Sequence, residues 1–177
     1  MSFRRRVRLL CAVVGVVVAL DQLTKVAARA YLASRPPSSI LGGIVEFVYS
    51  ENVGAFLGLG AALPPLVRML LFGVLAALLV MAVAAYTLTA RGLTRWEVAA
   101  ASLVVAGGLG NLIDRVLRRG RVTDFVSVGI GPLRTGIFNV ADVAIVAGVG
   151  WFLLLFALEA PAGRGPGQDG DDKTPRE

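Results

Sequence analysis

Four long apolar segments dominate the chain, and each is long enough to cross a lipid bilayer. A spanning helix needs about 20 predominantly apolar residues, and the segments run near 7–28, 66–88, 96–115 and 139–158. Pro64-Pro65 suits the start of the second segment, because proline fits the first turn of a helix. The pattern predicts four transmembrane helices joined alternately by long and short connections.

The polar residues of these segments lie near one end of the predicted bundle. In an up-down arrangement, both termini and the short turn at 89–95 share one membrane surface, and the long connections at 29–65 and 116–138 share the other. Connections of this length are often functional. The surface with the long connections then carries six polar helix residues, which are Asp21, Asn111, Asp114, Arg115, Asn139 and Asp142.

The long connections contain strand-like sequence. Residues 44–49, 124–128 and 136–138 are rich in β-branched and aromatic side chains, and the glycine-rich stretch 54–60 predicts a turn or a short membrane-lying helix. We therefore predict an all-α membrane protein with four transmembrane helices, plus a small β-sheet and a short membrane-lying helix in the long loops. Residues 1–160 form one predicted domain, and 161–177 form a Pro-, Gly- and charge-rich tail that we expect to be disordered.

Charge and composition fit a membrane rather than nucleic acid. The chain is 56% hydrophobic with a net charge of +6, and its arginines flank the apolar segments, where phospholipid headgroups lie. Arginines at 4–8, 91 and 95 favour cytoplasmic termini, although the arginines at 115–121 and 134 oppose this orientation. The basic and apolar start also resembles a secretory signal peptide, but three further spans favour a retained first helix.

The chain contains no histidine and one cysteine, Cys11. These counts exclude an intrachain disulfide, a Ser-His-Asp triad, a Cys-His pair and a histidine-ligated metal site. We therefore expect chemistry that needs neither a metal nor a cofactor.

Two aspartates are the candidate catalytic residues. Asp142 lies early in the fourth span, where an acid either interacts with the helix dipole or is functional. Asp124 opens a strand on the same side, which would be unremarkable alone. Two neighbouring carboxylates share a proton, so one can activate water while the other polarises a scissile carbonyl.

Further polar residues lie near this pair on the predicted helices. Asn139 shares a helical face with Asp142, and Asn111 shares one with Arg115. Asn111 and Arg115 either bind substrate and brace the aspartates, or Arg115 extends to the headgroups. The glycines at 107, 108 and 110 permit close helix packing.

The first span carries a simpler pattern. Asp21 and Lys25 are four residues apart and predict an internal ion pair that braces the outer end of the helix. Asn52 is compatible with an ordinary turn.

Five segments together resemble the lipoprotein signal peptidases, the type II signal peptidases of bacteria, over nearly the whole chain except the tail. They are Asp21-Gln22-Leu23-Thr24-Lys25, Asn52-Val53-Gly54-Ala55-Phe56, the segment from Gly107 to Arg115, Val122-Thr123-Asp124-Phe125 and Phe138-Asn139-Val140-Ala141-Asp142. The chain departs from the pattern at Phe56, where many members have a small residue.

The resemblance implies a specific activity. Asp124 and Asp142 would be the catalytic pair of an aspartic endopeptidase that cleaves diacylglyceryl-modified prolipoproteins before the lipid-modified cysteine. Asn52, Asn111, Arg115 and Asn139 would position substrate and the pair, while Asp21, Lys25, Gly54 and Gly108 would support the structure.

The resemblance also implies a location and partners. The enzyme would be a monomer in the bacterial plasma membrane, with cytoplasmic termini and an extracytoplasmic active site and sheet. It would bind phospholipid and globomycin-like inhibitors, and no nucleic acid. Two other classes remain open from the residues: a transporter or proton pathway, and a structural subunit whose acids only pair with arginines.

Overall fold

The computed structural model describes residues 1–54, 60 and 62–159. Within them, four helices are long and apolar enough to cross a membrane: α1 (Phe3–Tyr31), α2 (Pro65–Thr89), α3 (Arg95–Leu117) and α4 (Val140–Glu159). These helices confirm the four predicted spans, although α1 extends beyond 7–28 at both ends. Most of the predicted membrane-lying helix at 54–60, Phe56 and the tail at 161–177 lie outside the described residues.

The helix ends follow local sequence signals. Pro65 opens α2, whose Met69–Leu75 stretch is a π-helix. Thr94 caps α3 through a reciprocal capping box with Glu97, in which each side chain accepts a backbone N–H of the other residue. Pro65 therefore begins α2 as predicted, and Thr94 begins α3 directly after the predicted short turn.

Arg6 ties the start of α1 to this turn. Its buried guanidinium donates to the backbone carbonyls of Thr87, at 3.3 Å, and Ala90. These carbonyls belong to the last turn of α2 and to Ala90 directly after it, where a cation is favourable. The start of the chain and the short turn therefore lie at the same end of the bundle, as the up-down arrangement predicts.

Helix α3 lies at the centre of the bundle and packs most extensively against α4 and α1. Half of the residues in its most apolar stretch are buried, whereas none in that of α2 is fully buried. Glycine makes the close approach possible: a Cβ on Gly110 would lie 2.7 Å from Asp21 Oδ2, and one on Gly148 would lie 2.6 Å from the Ala100 carbonyl. This packing brings polar residues of α1, α3 and α4 within hydrogen-bonding distance.

The long connections form a four-stranded antiparallel sheet in the order β1-β2-β3-β4. The strands are β1 (Ser38–Ile40), β2 (Val45–Asn52), β3 (Val122–Ile130) and β4 (Leu133–Arg134). Residues 44–49 and 124–128 lie almost entirely in β2 and β3, as predicted. The sheet thus joins the loop after α1 to the loop after α3.

Two details of the sheet differ from the prediction. The exposed strand β1 has no predicted counterpart, because its Ser-Ser-Ile sequence lacks an apolar alternation. The predicted strand at 136–138 contributes only the single bridge between Phe138 and Val126, since the chain must turn into α4 at Val140. The Phe138 carbonyl nevertheless accepts the N–H groups of Phe125 and Val126, both at 3.0 Å, which fixes the start of α4 against β3.

Candidate active site

Asp124 is held near the start of β3 at the end of the bundle where the sheet attaches. Only 2% of this residue is exposed. Its Oδ1 accepts a hydrogen bond from Asn139 Nδ2 at 2.6 Å, and its Oδ2 accepts one from Asn52 Nδ2 at 3.0 Å. One amide at the end of β2 and one directly before α4 therefore fix the direction of this carboxyl group.

Asp142 lies in the first turn of α4, where the helix dipole favours negative charge. Asn139, directly before the helix, accepts the Asp142 N–H with its Oδ1 at 3.0 Å and donates its own N–H to Asp142 Oδ2 at 3.1 Å. Asn111 Nδ2 donates to the other carboxylate oxygen at 2.8 Å. Both oxygens of Asp142 thus accept a hydrogen bond.

The side chain of Asn139 connects the two aspartates. Its Nδ2 lies within hydrogen-bonding distance of Asp124 Oδ1, of Asn111 Oδ1 at 3.1 Å and of the Thr123 carbonyl at 3.4 Å. Its Oδ1 meanwhile caps α4 beside Asp142. One buried amide therefore sets the relative placement of residues from β3, α3 and α4.

A small cavity of about 30 Å³ lies among the polar groups of the site. Its lining consists of Asn52, Asn111, Arg115, Val122, Asp124, Ile137 and Asp142. A site of this size and polarity can hold a water molecule. Both candidate carboxylates and three of the predicted supporting residues therefore line one water-sized space.

The position of Asp124 alters its ionisation. Burial, followed by the neighbouring charge of Asp142, raises the pKa of Asp124 from 3.8 to about 6. Hydrogen bonds from Asn52 and Asn139 and the charge of Lys25 act in the opposite direction. A carboxyl group with this pKa can carry a proton near neutral pH, as a general acid requires.

Arg115 points into the site. Its guanidinium donates to the Gly54 carbonyl at 3.1 Å and to the Asn111 carbonyl at 3.3 Å, and it lines the cavity beside the aspartates. Gly54 N–H in turn donates to Asn52 Oδ1 at 2.9 Å. Arg115 thus braces the chain directly after Asn52 at the end of β2, rather than extending only towards headgroups. Gly108 lies elsewhere, where an added Cβ would meet the Val80 side chain of α2.

The predicted ion pair between Asp21 and Lys25 is present. Lys25 Nζ lies 2.9 Å from Asp21 Oδ2, and both side chains are fully buried. The ammonium also approaches Asp114 Oδ2 at 3.7 Å and donates to Asn111 Oδ1 at 3.0 Å. Asp114 has no predicted role beyond its position at this surface, because its partners come from distant parts of the chain.

A larger cavity lies beside the site. It has a volume of about 880 Å³, and residues of α2 and α3 form most of its lining. Phe72, Met69 and Leu112 are among its apolar residues, while Arg115 lines both cavities. The small polar cavity is thus adjacent to a mainly apolar groove between two spanning helices.

Among the side chains within 1–54, 60 and 62–159, no group of three or more acids or cysteines is arranged to hold a metal ion. The site itself presents two carboxyl groups beside a water-sized space, and each accepts hydrogen bonds from N–H donors of neighbouring residues.

Comparisons with known proteins agree on one family. The model of signal peptidase II matches residues 13–158. The lipoprotein signal peptidase of Mycolicibacterium smegmatis is 33% identical over 187 aligned residues, covering 97% of this chain and 75% of the relative. That of Pelodictyon phaeoclathratiforme is 34% identical over 173 residues, covering 88% of this chain and 96% of the relative.

The fold also matches solved structures. A bacterial membrane enzyme determined at 2.3 Å by the in meso method superposes with a TM-score of 0.76, at 24% identity, over 93% of this chain and 94% of that one. A second bacterial membrane enzyme, determined at 1.9 Å, gives a TM-score of 0.71 at 25% identity, over 86% and 94%.

Proposed function

Since this chain belongs to the signal peptidase II family, whose members remove signal peptides from prolipoproteins, we propose that it does so by an aspartic mechanism with Asp124 and Asp142 as catalytic residues. The observation that carries this proposal is the shared cavity: both carboxyl groups line a space of about 30 Å³, large enough for the attacking water.

The environments of the two acids favour different roles. The raised pKa of Asp124 makes it the proton donor at the start of the reaction. Asp142, at a helix N-terminus and with hydrogen bonds to both oxygens, is the base. Pairs of acids in unlike environments divide the acid and base roles in this way.

The proposed steps conserve every proton. The water oxygen attacks the scissile carbonyl while Asp142 takes a proton from that water. Asp124 gives its own proton to the carbonyl oxygen. The resulting gem-diol breaks down when Asp142 protonates the leaving amine and Asp124 recovers a hydroxyl proton. Arg115, Asn52 and Asn111 line the cavity and position the peptide and the carboxyl groups.

The proposed substrate is a diacylglyceryl-modified prolipoprotein, cleaved directly before its lipid-modified cysteine. Each acyl CH₂ adds roughly 0.8 kcal/mol of membrane affinity, so two acyl chains keep the substrate in the bilayer plane. The apolar groove beside Arg115 supports this proposal, since it gives an apolar part of the substrate a place next to the aspartates. The end of the bundle that carries Asp124 and Asp142 would face the extracytoplasmic side of the plasma membrane.

Cleavage of a reconstituted substrate tests the proposal. The purified protein is incubated in proteoliposomes with a diacylglyceryl-modified prolipoprotein, and cleavage is followed by mass. We expect wild-type cleavage before the modified cysteine, and almost none by Asp124→Asn or Asp142→Asn.

A matched control comes from the other end of α3. Glu97→Gln makes the same acid-to-amide change in the capping box, far along the helix from the site, and should cleave at the wild-type rate. Full activity of a folded Asp124→Asn or Asp142→Asn protein would exclude the aspartic mechanism.

A further inference from the structure

A fully buried lysine, Lys25, lies close to the two candidate catalytic residues and is linked to both through hydrogen-bonded neighbours. Lys25 Nζ lies 2.9 Å from Asp21 and 3.7 Å from Asp114, and none of these three side chains is more than 2% exposed. Arg29 approaches Asp114 from the edge of the cluster at 4.0 Å. One ammonium therefore holds two carboxylates of different helices together inside the protein.

Each of these carboxylates binds the backbone directly before one catalytic aspartate. Asp21 Oδ1 accepts the N–H of Ala141 at 2.9 Å, and Ala141 precedes Asp142. Asp114 Oδ2 accepts the N–H of Thr123 at 2.8 Å, and Thr123 precedes Asp124. Through these two carboxylates, the same lysine connects the backbone positions directly before both candidate catalytic residues.

The lysine also reaches the catalytic pair through a side chain. Its Nζ donates to Asn111 Oδ1 at 3.0 Å, which orients the amide so that Nδ2 donates to Asp142. Packing leaves little freedom here, because a Cβ at position 110 would collide with Asp21. Lys25 therefore has a path to Asp142 through Asn111 and a path to each backbone through a carboxylate.

Stability alone is a poor explanation for this cluster. Removing ions from water is unfavourable, and well-packed apolar side chains often stabilise a protein as well as a buried ion pair does. A cluster that accepts the N–H groups before both catalytic residues has a geometric role that apolar side chains could not replace. Buried ionic groups can fix one arrangement among several.

We propose that Asp21, Lys25 and Asp114 form a positioning triad that sets the spacing and direction of Asp124 and Asp142. The inference rests on the proposed aspartic function, and it concerns residues that do not touch the substrate. Asp21 fixes the start of α4, Asp114 fixes the start of β3, and Lys25 holds these two anchors at a constant separation.

Five variants separate the parts of the triad. Lys25→Met keeps the length of the side chain and removes its charge. Asp21→Ala and Asp114→Ala remove the backbone acceptors, whereas Asp21→Asn and Asp114→Asn keep an acceptor oxygen and remove the charge. Ser102→Ala is the matched control, because Ser102 is equally buried in α3 but, among the residues that the structure describes, its hydroxyl donates within its own helix to the Val98 carbonyl.

The measurement is the kinetics of prolipoprotein cleavage in proteoliposomes, with Tm recorded for each variant. We expect kcat to fall about 10²-fold in Lys25→Met and in both alanine variants, as for a misplacement of about 1 Å, while KM changes less than about threefold. The asparagine variants should recover part of kcat, and the pH profile of kcat/KM should move in Lys25→Met. Ser102→Ala should match the wild type in kcat and in pH profile.

A purely structural cluster gives a different result. Activity would then fall only in proportion to the folded fraction, and the pH profile of the remaining activity would stay that of the wild type. If the asparagine variants or Lys25→Met give that result, the proposed positioning role of the triad is refuted. If Lys25→Met does not fold, Asp114→Asn against Asp114→Ala decides, since equal kcat values in these two also overturn it.

The aspartic function is tested separately in the same assay. Cleavage by Asp124→Asn or Asp142→Asn would refute the proposed aspartic function itself. If those variants are inactive but the triad variants keep the wild-type kcat, only the positioning role is refuted.

Discussion

Asn139 performs two tasks that a pair of substitutions can separate. Its Oδ1 caps α4 by accepting the Asp142 N–H, and its Nδ2 donates to Asp124 at 2.6 Å. Serine is also a strong N-cap residue but carries no amide to reach Asp124. Asn139→Ser should therefore keep the cap and lose the contact with Asp124, whereas Asn139→Ala should lose both.

The expected magnitudes follow from these contacts. Loss of an N-cap costs about 1 kcal/mol, and loss of a hydrogen bond to a charged group costs about 1.5–3 kcal/mol. Asn139→Ala should thus lower the free energy of unfolding by about 2.5–4 kcal/mol, and Asn139→Ser by about 1.5–3 kcal/mol. Both variants should lose kcat about 10²-fold, since the proposed catalytic pair would no longer be held in place.

The variants should also change the pH dependence of catalysis. The Asn139 hydrogen bond lowers the pKa of Asp124, so its removal should raise that pKa further above about 6. Asp124 would then keep its proton to higher pH, and the alkaline limb of the kcat/KM profile should shift to higher pH.

Thermal unfolding and prolipoprotein cleavage between pH 5 and pH 9 measure both effects. A stable Asn139→Ser protein with wild-type kcat and an unmoved alkaline limb would show that this amide does not position the pair.

Four further predictions concern other groups. The folded pKa of Asp124, about 6, lies above its ordinary 3.8, so stability should fall as pH rises between these values; this slope should be absent from the Tm of Asp124→Asn. Hydrogen bonds from Arg121 first, then from Tyr49 and Arg118, lower the pKa of Glu51 to about 2; Glu51→Gln should therefore cost about 1 kcal/mol at pH 7, and the difference from wild type should vanish as pH falls from 4.5 towards 2. In a Cys11→Ser background, a membrane-impermeant maleimide should label Leu133→Cys but not Arg91→Cys in intact cells, and the reverse result would invert the proposed orientation. EDTA should leave cleavage unchanged, and an activity that EDTA abolishes and added metal restores would contradict the two-carboxylate mechanism.

Local sequence was sufficient to predict the spans and the polar end of the bundle. Apolar runs of spanning length determine α1 to α4, and alternating direction then places Asp21, Asn111 and Asp142 at one surface. The ion pair between Asp21 and Lys25 could also be predicted from the sequence, because residues four apart on a helix are neighbours. The roles of Asn52 and Asn139 were suggested by family resemblance alone, and they stay predictions.

The tertiary structure decided which polar groups meet. That Asp114 accepts the Thr123 N–H, or that Asn139 lies between Asp124 and Asp142, depends on the distances between helices and on the register of β3. Those distances are set by close packing at Gly110 and by the joint of Phe138 with β3, which hydrophobic periodicity does not encode.

The sequence by itself thus determined that this chain spans a membrane four times and gathers its polar helix residues at one surface, because hydrophobicity and helix direction are properties of neighbouring residues. Only the tertiary structure decided that Lys25 joins the anchors of Asp124 and Asp142, because that contact requires α1, α3 and α4 to pack within a few ångströms of one another.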